Sequence, residues 1–127
     1  MRPSFRSKAG LALVAMLGSS PTGLAAGDLS AGQTVFAARC AACHATTSGD
    51  NKIGPSLASI VGSKSGTVPG FNFSPAMKSA EITWDDANLD KFLTNPTGFI
   101  HGTRMFVNLP NETDRQNVIA YLHTLTR

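Results

Sequence analysis

Apolar residues recur at helical spacing in three stretches of the chain, and each stretch follows residues that commonly start a helix. Ser30 and Gln33 form a capping-box pattern ahead of the first stretch. They predict a helix over roughly 31–42, with Val35 and Phe36 among its apolar residues.

The second stretch follows Thr83 and Asp86, which predict the start of another helix. In that helix Leu89, Phe92 and Leu93 fall on one face, because residues three and four apart are neighbours on a helix surface. This face is expected to pack into the core.

The third stretch lies at the C-terminal end of the chain. Before it, Asn95 and Pro96 predict the end of the second helix and the start of a short one, since proline fits a first helical turn. Asn111 predicts the N-cap of the last helix, with acidic residues following in the first turn. The apolar face of that helix consists of Val118, Tyr121, Leu122 and Leu125.

Strand-like alternation is weak throughout, so the pattern predicts a small all-α domain. Residues 45–80 are dense in Gly, Ser and Pro and are predicted to form ordered loops with short helical turns. Loops this long are uncommon in a small domain. They suggest that the chain folds around a cofactor.

Residues 1–26 have the three-part pattern of a cleavable secretory signal peptide. Basic residues come first, an apolar run over 9–18 follows, and small residues lead to a cleavage site after Ala25 or Ala26. The folded domain is therefore expected to span 27–127, and the chain to be exported from the cytosol.

Composition and charge exclude several classes of protein. The chain has 127 residues, 42% of them apolar and 15% charged, which fits one globular domain and argues against disorder. Of its 11 Lys and Arg, Arg2, Arg6 and Lys8 belong to the signal segment, which leaves eight against eight Asp and Glu. Nucleic-acid binding through bulk charge is therefore not expected.

The strongest chemical motif is Cys40-Ala-Ala-Cys43-His44, a C-x-x-C-H run. This run is the attachment signature of haem c. Thiols three residues apart can lie on one side of the chain and reach both vinyl groups of one porphyrin edge, and the adjacent imidazole can then reach the iron.

Two cysteines at this spacing have three other interpretations. A thioredoxin-type redox pair needs a βαβ context, which the pattern lacks. Structural zinc needs four ligands, so His101 and His123 would have to complete the set. A disulfide between residues so close in sequence would be strained, although export would permit one.

The chain after residue 26 resembles the class I c-type cytochromes, in particular the bacterial periplasmic relatives of mitochondrial cytochrome c. The resemblance rests on an ordered series of short motifs: Gly32 and Phe36, Cys40–His44, Gly54–Leu57, Pro69–Phe71, Ile82–Trp84, Asn95-Pro96, Gly102–Phe106, Asp114-Arg115 and Ile119–Leu122.

This resemblance implies four to five helices and ordered loops wrapped around one haem c, covalently attached through Cys40 and Cys43. The N- and C-terminal helices should cross where Gly32 allows a close approach, with Phe36 and Tyr121 packed nearby.

The resemblance also implies His44 and Met105 as the two axial iron ligands, with Met105 in an irregular loop. Such ligation suits electron transfer. Of the other candidates, Met77 is expected to pack in the core and His123 to lie on the surface. His101 is the one rival ligand.

Three further residues are implied in haem binding. The carbonyl of Pro55 should accept from the ring N–H of His44. The indole N–H of Trp84 should reach a haem propionate, and Thr103 should bond near the inner propionate.

The chain departs from the family pattern at three positions near the propionates and the methionine. Ser63 stands where an arginine is common, and Phe73 and Phe92 stand where relatives often have tyrosines. Propionate charge should therefore be less compensated here.

The function implied is that of a soluble monohaem electron carrier and not an enzyme. A cytochrome bc complex is the expected donor, and a terminal oxidase or a reaction centre the expected acceptor. The alternatives are a dedicated electron acceptor of a periplasmic dehydrogenase and a peroxidase-like haem protein that binds ligands. No nucleic acid, no stable membrane insertion and a monomer are expected. Docking should use the haem edge, near Arg39, Lys52, Arg104 and Phe106.

Overall fold

The computed structural model describes residues 27–126 and, within the first 26, residues 3–4, 10, 12–15 and 18. Most of the predicted signal peptide over residues 1–26 therefore lies outside the described residues. The described residues form five α-helices, which are α1 (Leu29–Arg39), α2 (Pro75–Ser79), α3 (Asp86–Thr94), α4 (Pro96–Phe99) and α5 (Glu112–Leu122). An isolated antiparallel bridge joins Lys64 and Thr83. The predicted all-α class is confirmed.

No helix in the described part of the chain combines the length and the apolar character needed to cross a membrane.

Helix α1 starts two residues earlier than the capping-box pattern predicts. Its N-cap is Asp28, whose carboxylate accepts a hydrogen bond of 2.8 Å from the N–H of Ala31. The prediction that Ser30 caps the helix is wrong, because Ser30 already lies within its first turn. The predicted end at residue 42 is also wrong, since α1 ends at Arg39.

Helix α3 is capped by Asp85 and not by Thr83. The Asp85 carboxylate accepts from the N–H of Asn88 at 2.8 Å. Thr83 is instead extended, because it pairs with Lys64 across the isolated bridge.

The predictions for the last two helices are confirmed. Asn95 caps the short helix α4, whose first residue is Pro96, and Asn111 caps α5 through a 2.9 Å bond from the N–H of Asp114. Of the predicted α5 face, Val118 and Leu122 are buried. Arg115 and Ile119 are also buried in α5, which the pattern did not predict.

Helices α1 and α5 cross at close range, as the resemblance implied. A Cβ at Gly32 would overlap the carbonyl oxygen of Asn117 and lie 2.9 Å from the Cβ of Tyr121. The rings of Phe36 and Tyr121 pack beside this point, with centroids 5.4 Å apart. Only glycine fits at this contact.

Replacing Gly32 by alanine is therefore expected to destabilise the protein by about 3 kcal/mol, the upper range for overpacking. Helix propensity alone would predict a gain in the free energy of unfolding of about 1 kcal/mol. A loss would therefore show that the close contact between α1 and α5 determines the effect. Denaturant unfolding of Gly32→Ala measures the effect. Gln33→Ala, at an exposed position of the same helix, is the control. Unchanged stability in Gly32→Ala would show that the helices can separate slightly without cost.

Loops supply most of the chain between α1 and α3, as predicted for residues 45–80. Within that region α2 is a single short helix, capped by Ser74 and started by Pro75. These loops and the inner faces of α3 and α5 surround one cavity, which the core residues line from several directions.

Candidate functional site

An open cavity of about 310 Å³ lies at the centre of the fold. Its walls are mainly apolar side chains from loops on both sides and from α2, α3 and α5. Among them are Leu57, Ile60, Phe71, Phe73, Met77, Leu89, Phe92, Leu93, Val118 and Leu122. An apolar space of this size, open to the surface, is typical of a site for a hydrophobic ligand.

The C-x-x-C-H motif forms tight turns directly after α1. The N–H of Cys43 donates to the Cys40 carbonyl at 3.1 Å, and the N–H of His44 donates to the same carbonyl at 2.9 Å. These turns place both sulfurs and the imidazole along the cavity. Neither cysteine of the described chain is in a disulfide.

The His44 ring is oriented by its neighbours. Its Nδ1 lies 2.7 Å from the carbonyl oxygen of Pro55. Because a carbonyl only accepts, Nδ1 carries the hydrogen, and Nε2 keeps its lone pair. Burial lowers the pKa of His44, although the bond to Pro55 partly opposes this shift. The neutral imidazole, which is the form that binds metals, is therefore favoured.

Gly54 packs directly against the His44 ring. A Cβ at residue 54 would lie 2.6 Å from Nδ1 of His44 and 2.8 Å from Nε2. The absence of a side chain at Gly54 is what leaves room for the imidazole.

Met105 lies on the same cavity as His44. It is half-buried, and its N–H lies 3.3 Å from the hydroxyl of the buried Thr103. Met77 also lines the cavity, from α2, and is buried in the core as expected.

The two remaining histidines lie elsewhere. His101 is exposed and does not line the cavity, and His123 is exposed with its Nε2 at 2.6 Å from Asp86. Within the described part of the chain, no group of three or more His, Cys, Asp or Glu side chains could hold a metal ion. The geometry gives no support to the zinc reading.

Polar donors also face the cavity. Trp84 is buried against Phe92, with ring centroids 5.0 Å apart, and it lines the cavity. The hydroxyls of Thr103 and Ser74 lie on the cavity wall, and each accepts from a backbone N–H. Their own hydrogens remain available to an acceptor in the cavity.

The motif pattern missed Ser74 as a cavity residue. The signal that could have found it is the Ser74-Pro75 pair, because serine before proline is typical of a helix N-cap. That cap fixes the hydroxyl at the cavity wall.

At the three departures from the family pattern, the residues present put no polar side-chain group on the cavity. The Ser63 hydroxyl donates to the carbonyl of Ile60 at 2.6 Å, so it is held by its own loop. Phe73 and Phe92 are buried and present only carbon to the cavity.

The rim of the cavity carries exposed apolar side chains. Ile53 is 79% exposed, Phe106 76% and Val107 47%, and all three line the opening. Lys52 and Arg104 are exposed beside them in sequence. We call these five residues the rim surface. Ile53 was not anticipated, because an isolated isoleucine in a loop carries no signal of its exposure.

Comparison with known proteins places this site in a family. The family model described as cytochrome c matches residues 29–126. The chain belongs to the cytochrome c family. It is 45% identical over 117 residues to cytochrome c2 of Rhodomicrobium vannielii, an alignment that covers 87% of this chain and 93% of that protein. It is 46% identical over 99 residues to cytochrome c2 of Rhodoblastus acidophilus, covering 76% of this chain and 92% of that one.

The fold agrees with this assignment. The solved structure of cytochrome cH from Methylobacterium extorquens matches with a TM-score of 0.72 and 39% identity, covering 77% of this chain and 99% of that chain. The predicted cytochrome c fold and the membership of the class I c-type cytochromes are confirmed. Cytochromes c are monohaem electron carriers with one covalently attached haem c, for which Cys40 and Cys43 provide the two thiols.

The residues of the cavity fit this group. The lining is largely apolar, Cys40, Cys43 and His44 all belong to it, and Trp84, Ser74 and Thr103 add donors suited to carboxylates. Burial raises the pKa of the Cys40 thiol to about 11, although the Arg39 charge opposes that shift. The surroundings of Cys40 thus favour an uncharged sulfur, and a thioether is uncharged.

Proposed function

We propose that this cytochrome c carries single electrons between redox complexes of the periplasm, with haem attached through Cys40 and Cys43 and with His44 and Met105 as axial ligands. Bound haem supplies one iron that alternates between its ferrous and ferric states. The observation that carries the proposal is the bond from His44 Nδ1 to Pro55, which leaves Nε2 as the metal-binding atom on a cavity that Met105 also lines.

The surrounding residues hold these ligands rather than take part in chemistry. The Pro55 carbonyl fixes the tautomer and the orientation of the His44 ring. Met105 provides a neutral thioether, which favours ferrous iron and raises the potential. If His44 and Met105 both bound the iron, no position would be left open for oxygen or peroxide, which would favour a carrier over an enzyme.

Trp84 and Thr103 are proposed to donate hydrogen bonds to the haem propionates. Both residues are buried on the cavity wall and both have a hydrogen to donate. We assign Ser74 to the same role, because it is similarly buried and lines the same cavity. These neutral donors would bond the propionates without balancing their charge, which an arginine would do.

The rim surface is the proposed docking site for redox partners. Its exposed apolar centre would exclude water on contact, and Lys52 and Arg104 would favour a partner with an acidic face. A quinol-oxidising cytochrome bc complex as donor, and an oxidase or a reaction centre as acceptor, are the proposed partners. The periplasmic location rests on cleavage of residues 1–26, which the mass of the secreted protein would test.

Absorption spectra of the holoprotein test the proposed ligands. The wild-type ferric protein is expected to show the weak long-wavelength charge-transfer band of a methionine–iron bond, and its ferrous form should not bind carbon monoxide. Met105→Ala should lose the band and bind carbon monoxide. Met77→Leu is the matched control, because this second methionine lines the same cavity.

Two results would contradict the proposal. If Met77→Leu removed the band and Met105→Ala kept it, the ligand assignment would be wrong. If the wild-type protein were high-spin and bound carbon monoxide, an open iron site would favour the ligand-binding alternative.

A further inference from the structure

The residues around Met105 have little backbone support of their own. Within the described residues, no backbone-to-backbone hydrogen bond involves residues 104–108, which we call the ligand segment. The N–H of Thr103 donates to Ile100 on one side of the segment, and Leu109 is bonded on the other. The segment's own ties to other loops and helices are side-chain bonds, from Arg104 to the Asn72 carbonyl at 2.9 Å and from Asn108 to the Thr94 carbonyl at 3.5 Å, so its backbone depends largely on its two ends for its position.

Leu109 is held through both of its peptide groups. Its N–H donates to the carbonyl of Leu93 in α3 at 2.8 Å. Its carbonyl accepts from Nη1 of Arg115 at 3.0 Å, and the same nitrogen lies 2.9 Å from the carbonyl of Pro110. The side chain of Leu109 is itself buried in the core. The C-terminal end of the ligand segment is therefore fixed to α3 and α5 together.

Arg115 is unusual because it is a charged residue that is only 8% exposed. Its Nε donates to the carboxylate of Asp90 in α3 at 2.7 Å, which balances the buried charge. One planar guanidinium thus joins α5, α3 and the chain just beyond the ligand segment. A lysine cannot make these bonds at once, because its ammonium is a single point of donation on a flexible stem.

A second arginine, on the protein surface, binds the ligand segment. Arg39, in the last turn of α1, is exposed and donates to the carbonyl of Asn108 at 3.0 Å. Its bond is single and reaches solvent, so it holds the segment less firmly than the buried Arg115 does.

We infer that Arg115 is a positioning residue for Met105: by holding Leu109 and Pro110 to α3 and α5, it keeps the methionine from leaving the iron. This inference rests on the proposed ligation by Met105. Arg115 touches neither the cavity nor the ligand segment. By this inference it nevertheless determines how readily Met105 is displaced from the iron.

Imidazole titration of the ferric holoprotein tests this role, because imidazole competes with methionine for iron and removes the charge-transfer band. Arg115→Lys is expected to raise the apparent affinity for imidazole about tenfold, which corresponds to about 1.4 kcal/mol. Asp90→Asn, which keeps the arginine but weakens its partner, should give a smaller rise in the same direction. Asp90→Asn also serves if Arg115→Lys fails to accumulate.

The control variant removes a different side-chain interaction between the same two helices. Asp86 in α3 pairs with His123 at the end of α5 at 2.6 Å, and both side chains are exposed. Asp86→Asn should leave the imidazole affinity within about twofold of wild type. Denaturant unfolding of every variant separates a general loss of stability from a local release of Met105.

The inference fails if the imidazole affinities of all three variants simply follow their unfolding free energies, or if the Arg115 and Asp90 variants match wild type. Failure of the proposed function would look different. In that case the wild-type protein itself would lack the methionine band, which removes the basis of the inference before any variant is compared.

Discussion

Produced without haem, the chain is expected to be largely unfolded at room temperature. The apolar cavity of about 310 Å³ would remain at the centre of the fold. Because this cavity is open, water would contact its apolar walls, and at about 25 cal/mol for each Å² of apolar surface left unburied this costs several kcal/mol. A domain of this size has a total stability of only about 5–15 kcal/mol. Losing the group that fills the cavity therefore removes most of the free energy that holds the native state.

Expression in the cytosol without the haem-attachment machinery gives the haem-free chain. Its far-UV circular dichroism should show little helix and no cooperative thermal transition, whereas the holoprotein should show both. The chain with haem attached, measured in the same reducing buffer, is the control for any effect of the free thiols. A haem-free chain with the helix content of the holoprotein and a cooperative transition would mean that the loops close the cavity by themselves.

Elements whose signals are local could be predicted from the sequence. Proline at the first position of α4 and asparagine before α5 fix those helix starts with little influence from the rest of the chain. The attachment motif is likewise contiguous, so its place on the cavity follows from five residues. Met105 lies 61 positions beyond His44, and only the resemblance connects the two residues.

The predicted N-caps of α1 and α3 are wrong because a distant contact decides between two residues that could each cap the helix. Asp28 and Ser30 are both good N-caps, and the N–H of Asp28 is bonded to the side chain of Asn117 at 2.9 Å. That contact spans 89 positions and fixes the chain at Asp28 before the helix begins. Thr83 is excluded as a cap for a similar reason, since the bridge to Lys64 keeps it extended.

The burial of Arg115 could not be predicted for a related reason. A charged residue in a helix is normally exposed, and nothing near Arg115 in sequence suggests otherwise. Its main partner, Asp90, lies in another helix, 25 positions away, and its other acceptors are backbone carbonyls, which every residue has. Only the packing of α3 against α5 brings these groups together.

Replacing Gly54 by alanine is expected to displace His44 and to reduce sharply the yield of low-spin holoprotein. The new Cβ would lie 2.6 Å from Nδ1 and 2.8 Å from Nε2, closer than carbon and nitrogen can approach without a bond. The backbone of Gly54 cannot retreat easily, because its N–H donates to Cys43 at 2.8 Å and its carbonyl accepts from Lys52 at 3.0 Å. Relieving the overlap by moving the ring should cost about 3 kcal/mol, the upper range for overpacking.

The ring that must move is the His44 imidazole, which Pro55 orients. Iron ligation should therefore be affected more than the stability of the fold. Haem content per chain and the ferric spectrum measure it directly, and a high-spin component is the expected sign. Gly49→Ala is the matched control: at φ +81° the alanine is strained, but its Cβ has nothing within 4 Å. Gly49→Ala should therefore lose about 1 kcal/mol of stability and keep the wild-type spectrum. If Gly54→Ala instead behaved like Gly49→Ala, the imidazole would have room to move without leaving the iron, and the glycine would serve the loop rather than the ligand.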